Sequence, residues 1–370
     1  MSEQQDELLF DLTLSDEQQL MRDTVMRFAN AEMRDKSRPA DEAGEAPEGF
    51  YERALELGFN MVQIPEDLGG MGADRSPVSN MLIAEDLAGG DMSLAIGAMS
   101  SLSFVNTVLD QGTDAQKKQW LPRFAEEELH QATIALMEPN ARFDATALKT
   151  TAKAADGGYV IDGVKTMVPL GASAEVMLVA AEVAGEGPAA FFVEAGAEGL
   201  STSKEDHMGL RPLELCTVKL EGVKVGADAR LGESFDLRRL LDLSKIGLAA
   251  LTIGTCKSIL DYVTEYCNDR VAFGEPISHR QSVAFMIANI AIELEGIRML
   301  TYRAAGRAEQ GLDFHQQAYH AYLQAAEKGM QIGTDGVQLL GGHGFIREHM
   351  VELWYRNLRA IGILQGCVAI

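Results

Sequence analysis

The chain has 370 residues, beyond the size at which one core keeps growing, so two or three structural units that share cores are expected. Hydrophobic residues make up 46% and charged residues 24%, which excludes the low-hydrophobicity composition of a disordered chain. With 55 acidic against 32 basic side chains, the net charge of −23 repels phosphate backbones and anionic lipid head groups, arguing against nucleic-acid and membrane partners.

Cys216, Cys256, Cys267 and Cys367 show no C-x-x-C spacing and have no histidine pair near them, so neither a metal site nor a disulfide frame is expected. The acidic start, MSEQQDELLFD, lacks the basic and apolar regions of a secretory signal, and a cytoplasmic protein is expected. Ser15 to Gln18 reads as a capping box, with Met21, Val25 and Phe28 at helical spacing behind it, predicting a helix from about 16 to 33. Further helical patterns lie at Gly49 to Leu57, Ser79 to Leu87 and Asp114 to Ala125, separated by Gly69-Gly70 and Gly89-Gly90.

From about residue 131, short runs rich in Val, Ala and Thr alternate with turn dipeptides such as Asp156-Gly157, Asp162-Gly163 and Glu221-Gly222. Val176 to Ala181, Ala190 to Val193 and Thr217 to Leu220 have the length and composition of strands. The helical period returns after Leu231-Gly232-Glu233 and holds over roughly 236–270, 279–310 and 314–340. Helices, then strands, then long helices indicate an α+β chain rather than a doubly wound one, with units expected at 1–130, 131–235 and 236–370. No G-x-G-x-x-G follows a strand, so a Rossmann site is not expected.

Four segments on this plan resemble one family. IPEDLGGMG (Ile64 to Gly72) resembles a Pro-x-x-x-Gly-Gly-x-Gly loop, and MEPNARFD (Met137 to Asp144) a Thr-Glu-Pro-Gly-x-Gly-Ser-Asp segment. DRVAFGEPISHRQ (Asp269 to Gln281) resembles an Arg-x-x-Phe-Gly run ending in Gln, and QLLGGHGF (Gln338 to Phe345) a Gln-x-x-Gly-Gly-x-Gly-Phe run. In this order and spacing they resemble the acyl-CoA dehydrogenases. The resemblance implies a helical bundle, a β domain and a second helical bundle. It also implies FAD, same-family subunits in a tetramer, an acyl-CoA substrate dehydrogenated at its α and β carbons in lipid catabolism, and an electron-transfer flavoprotein as acceptor. A CoA ester is itself anionic, so such a site needs local Arg or Lys against the overall field.

In this family each FAD is gripped by two subunits. The resemblance assigns Arg270, Phe273, Gln281, Gln338, Gly341 and Gly342 to the edge that a subunit lends to its neighbour's flavin. Arg270 would give bidentate bonds to the diphosphate, and the glycines would let backbone approach closely. The bland alternative has Arg270 capping a helix and Gly341-Gly342 forming only a turn.

The chain's own flavin face departs from the pattern. Met137 stands where a Thr contacts the flavin, and Phe143 where a Ser bonds the pantetheine region. In IDGVKTMVPLG (Ile161 to Gly171), Met167 replaces an aromatic residue and Pro169 the Ser or Thr that bonds N5. The base position falls on Gln365, after Leu364, and the minority position for the Glu falls near Ser244 and Lys245, with Asp242 the nearest carboxylate. Met137, Phe143, Met167, Ser244, Lys245 and Leu364 would line the substrate pocket. Backbone groups alone holding the cofactor is the alternative to a lost flavin site.

Three explanations compete: a subunit that has lost its own site but completes a partner's, an engineered Glu-to-Gln change at 365, and a homo-oligomer with non-redox acyl-CoA chemistry. The clustering of losses favours the first. A self-sufficient homotetramer using Asp242 or water as base, and a non-catalytic CoA-ester binding protein, stand as the other functional readings.

Overall fold

The computed structural model describes residues 13–370. Its first helix, α1 (Asp16–Phe28), begins at the expected capping box: the Ser15 hydroxyl accepts from the Gln18 N–H, and the Gln18 side chain accepts from the Ser15 N–H, both at 3.1 Å. The helix is shorter than 16–33, because the winding widens to a π turn at Ala29–Met33 and tightens again at Arg34–Lys36. A π turn holds one extra residue, a difference that apolar spacing over a single turn does not carry.

Helices α2 (Ser37–Ala43), α3 (Phe50–Leu55), α4 (Pro77–Ala88), α5 (Met92–Ala98), α6 (Ser100–Gln111) and α7 (Asp114–Trp120) complete the first bundle. Neither α5 nor α6 was anticipated. Both are buried, α5 along its whole length and α6 from Ser100 to Val108; α5 is too apolar to show a period, whereas α6 carries Ser100, Ser103 and Thr107 at helical spacing, a signal the sequence reading passed over.

The central sheet has seven strands: β1 (Ala132–Ala135), β2 (Thr151–Ala155), β3 (Gly158–Pro169), β4 (Val176–Val183), β5 (Gly187–Glu194), β6 (Leu200–Lys204) and β7 (Leu215–Gly226). Neighbours run β1-β4-β2-β3-β7-β6, with β5 on the other side of β4, and only the β4 pairings with β1 and β2 are parallel. The period of two sorts β4 between two cores. Val176, Leu178 and Ala180 face the helices, while Met177, Val179 and Ala181 face a smaller core on the far side of the sheet.

The last part contains α8 (Leu237–Asp269), α9 (Gln281–Glu309), α10 (His315–Leu339) and a short α11 (Val351–Leu358), with a hairpin of β8 (Val271–Ala272) and β9 (Glu275–Pro276) after α8. The three long helices lie where the helical period returns; α11 was not anticipated. Helix α8 has the length and composition to cross a membrane, yet it is the mostly buried central helix against α4, α9 and α10. One hydrophobic core runs from Val25 to Ile370, so both helical parts and one sheet face share an interior.

Candidate functional site

Of the residues assigned to the chain's own cleft, Met137 and Gln365 meet. Met137 and Leu364 belong to the main core, and Phe143 and Met167 pack against it. Gln365 donates its backbone N–H to the Met137 thioether sulfur at 3.3 Å. The backbone at the base position therefore touches the side chain at the flavin position directly.

Strand β3 explains the rest of this face. Its pairing with β7 slips between Lys165 and Val168, and Met167 sits in this bulge with φ 52°, a conformation unusual for a bulky residue. Glu205 holds the bulge: one carboxylate oxygen accepts from the Met167 N–H at 3.2 Å, from the Thr166 hydroxyl at 2.7 Å and from the Thr217 hydroxyl at 2.5 Å. Two residues earlier, Lys165 is fully buried and donates to Glu138 at 2.9 Å and to the Leu136 carbonyl at 3.0 Å. Glu138 also accepts from the N–H groups of Thr150 and Lys149 at 2.8 and 2.7 Å, stitching the segment after β1 to the sheet. Burial pushes Glu138 up, but Lys165 and the two N–H groups outweigh it and hold the carboxyl below its ordinary value. Burial pushes the Lys165 ammonium down to about 8 against the opposing charge of Glu138.

Flavin N5 and the ring oxygens call for donors. Here Pro169 has none, the Met167 N–H is already bound to Glu205, and Met137 presents a thioether. The residues of this cleft do not fit a flavin. Asp242 does not serve as a free base either, because Lys245 bonds one oxygen at 2.7 Å and His315 the other at 2.7 Å. Ser244 is buried with a hydroxyl that has no hydrogen-bond partner among the described residues.

The lent edge has the opposite character. Arg270 is the C-cap of α8, with its N–H on Tyr266 and its carbonyl accepting from Ile277 at 2.9 Å, and its guanidinium has no protein partner among the described residues. Phe273 occupies the hairpin turn at φ 58° and is 95% exposed. Gln281 opens α9 and Gln338 lies in the last turn of α10. Gly341, at φ 58°, and Gly342 have open space where a Cβ would sit. Tyr266, one turn before Arg270, bonds His343 at 2.8 Å and the Leu340 carbonyl at 3.4 Å, bringing the two segments to one edge. An unpaired guanidinium beside open backbone fits an anionic diphosphate.

Sequence reasoning missed Glu205, the buried Lys165–Glu138 pair, and Tyr262, Tyr266, His343 and His349. A signal existed for the tyrosines, which stand eight and four residues before Arg270 on one helix face.

Comparisons with known proteins agree with this reading of the fold. Family models for the N-terminal, middle and C-terminal domains of acyl-CoA dehydrogenase match residues 15–128, 133–223 and 236–370. The chain is 30% identical to the short-chain specific mitochondrial acyl-CoA dehydrogenase of Bos taurus, covering 95% of this chain and 87% of that one. It is 31% identical to the caffeyl-CoA reductase-Etf complex subunit CarC of Acetobacterium woodii, covering 94% and 93%. The structure of butyryl-CoA dehydrogenase from Megasphaera elsdenii superposes with a TM-score of 0.89 at 30% identity, over 96% of this chain and 95% of that one. Helical bundle, seven-stranded sheet, long helical bundle and three family matches along nearly the whole length place the chain in the acyl-CoA dehydrogenase family, flavoprotein oxidoreductases acting on CH–CH bonds.

Proposed function

We propose that the chain is a subunit that completes the FAD site of a catalytic partner of the same family, in the α,β-dehydrogenation of an acyl-CoA thioester. The observation that carries this is the contrast between the two edges: Met137 touches Gln365 in the chain's own cleft, whereas the Arg270 edge is open. In the partner's cleft FAD would accept the β hydrogen as hydride, and the partner would supply the Glu that Gln365 lacks. This chain's residues would hold and orient. Arg270 would neutralise the diphosphate, Phe273 would cover an apolar ring face, and Gln281 and Gln338 would bond polar edges of the cofactor.

Exposed apolar residues support assembly. Phe273 holds an exposed aromatic ring on a backbone conformation that costs on the order of 1–3 kcal/mol, with only the Arg280 guanidinium over it at 5.7 Å among the described aromatic and cation contacts. On α9, Phe285 (62% exposed), Ile292 (67%) and Met299 recur every seventh residue along one face, a pattern that marks a protein interface. A tetramer of same-family subunits accounts for both, and an electron-transfer flavoprotein is the expected acceptor, as the name of the CarC relative suggests for that protein.

The test is the colour and redox activity of the purified chain with and without its co-purifying partner. The complex should be yellow and reduce dye in an acyl-CoA-dependent way, and the chain alone should be colourless. A yellow, active chain alone would overturn the reading in favour of a homotetramer. Within the complex, Arg270→Ala should weaken FAD binding about tenfold to hundredfold, the usual effect of losing one charge-assisted contact, and Arg270→Lys should rescue little. Unchanged FAD affinity in Arg270→Ala would remove the role given to this edge.

A further inference from the structure

We propose that Tyr262 and Tyr266, acting through His349 and His343, are positioning residues that set the Gly341–Gly342 turn against Arg270 for capture of the flavin diphosphate. The inference rests on the shared-flavin reading. Residues 341–350 are mostly exposed, contain three glycines and carry Phe345 at 92% exposure, so apolar burial does not fix this segment. Polar contacts do.

From one side come the tyrosines of α8. Tyr266 Oη lies 2.8 Å from His343 Nδ1, and Tyr262 Oη lies 2.6 Å from His349 Nδ1. The two imidazoles stack at 5.2 Å with planes 19° apart, and the Tyr266 ring stands edge-on to both, at 6.0 and 5.6 Å. Tyr262, Tyr266 and Arg270 follow one another at i, i+4 and i+8 on one helix face, where with Glu265 and Asp269 they line a cleft of about 410 Å³. From the other side, Arg38 of α2 donates to the His349 carbonyl at 3.0 Å, and Arg347 pairs with Glu42 at 3.3 Å. The segment continues from α10 as a short helical turn over Gly341–Phe345, and the Tyr266 hydroxyl ties it to the Arg270 face of α8 while Arg38 and Glu42 tie its far end to α2.

Proton accounting makes the arrangement sensitive to pH. While His349 is neutral with a bare Nδ1, the single Tyr262 proton goes to that nitrogen. Once His349 is protonated, its Nδ1–H must donate to the Tyr262 oxygen, and the Tyr262 proton has to turn away from the ring. Tyr262 and Tyr266 of α8 and His343 face the His349 ring, Glu348 favours its protonation, and Arg38 of α2, itself paired with Glu352 of α11, reaches its carbonyl. For His349 the balance is downward from its ordinary value, through burial first and the neighbouring His343 second.

The experiment measures FAD dissociation from the assembled, FAD-loaded complex by the fluorescence of released flavin. Tyr266→Phe, which keeps the ring and removes the hydroxyl, should weaken FAD about twofold to tenfold, the effect of one neutral hydrogen bond, without lowering the melting temperature of the isolated chain. Wild-type complex should release flavin as pH falls below the ordinary imidazole range, and His349→Gln, which keeps a polar partner for Tyr262 but takes no proton, should flatten that dependence. Unchanged affinity in Tyr266→Phe while Arg270→Ala still weakens FAD would overturn the clamp alone. Unchanged affinity in both variants would overturn the shared-flavin reading beneath it. If Tyr266→Phe fails to fold, the His349→Gln profile decides, and a profile identical to wild type overturns the clamp.

Discussion

An amide at position 365 can hydrogen-bond but cannot take a proton at neutral pH. Restoring the acid is not expected to restore an enzyme, because Met137, Met167 and Pro169 still deny a flavin its donors. Gln365→Glu alone should therefore give no acyl-CoA-dependent dye reduction, and robust activity from that one change would mark an engineered trap instead. Lys165 sets a second test. Lys165→Ala leaves the Glu138 carboxylate buried beside two N–H groups but without its counter-charge, and removing one partner of a buried pair costs about 3–5 kcal/mol. Denaturant unfolding of the chain should show a loss of that size. Both residues were visible in the sequence as letters of a motif, but their neighbours were not. Met137 and Gln365 meet across 228 positions, and the turn that throws Met167 to positive φ depends on Glu205, 38 positions away. Spacing cannot report contacts of that range.

At the scale of elements, what the sequence revealed depended on the length and composition of each run as much as on its period. The helices α9 and α10 could be read from their periods, strands β4 and β5, buried on both faces, from their length and composition, and the Ser15–Gln18 box marked the start of α1. Helix α5, apolar and buried on all sides, could not. The crossing of α4 and α8 shows what such burial requires. A Cβ placed on Gly254 would stand 2.0 Å from the Glu85 carbonyl oxygen, a backbone atom that cannot step aside. Gly254→Ala should force the two helices apart and cost about 1–3 kcal/mol or more, seen as a lower melting temperature without a change in helix content.

Across the molecule, carboxylates hold the two ends together. Arg356 of α11 makes a bidentate pair with Asp41 of α2 at 2.9 and 2.7 Å, and Glu352 joins Arg356 at 2.8 Å and also pairs with Arg38. Burial pushes Glu352 up, but the bonds from Arg356 and Arg38 hold it below the ordinary carboxylate value, as Lys165 and two N–H groups hold Glu138. Groups lowered in the folded state bind fewer protons there than when unfolded, so stability rises with pH through their titration range. Their contribution is complete above about pH 5 and is lost as pH falls through the lowered folded-state values. Melting temperature should drop steadily below about pH 4.5, and Glu352→Gln should flatten the drop.

The single core shared by both helical parts also fixes when the chain can fold during synthesis. Helix α4 is buried from Asn80 through Ala88, and its cover, α8, begins at Leu237. At about 5–20 residues per second, roughly 10–30 s pass between the emergence of the two. For that interval the first bundle leaves the ribosome with an apolar flank and the Glu85 and Asp86 carboxylates lacking Arg298 and Tyr302 of α9 to complete their network. A chain cut after residue 235 should accordingly be insoluble or bound to chaperone, whereas the full chain should become protease-resistant only after release. Soluble, protease-resistant 1–235 would show that the first bundle has a core of its own.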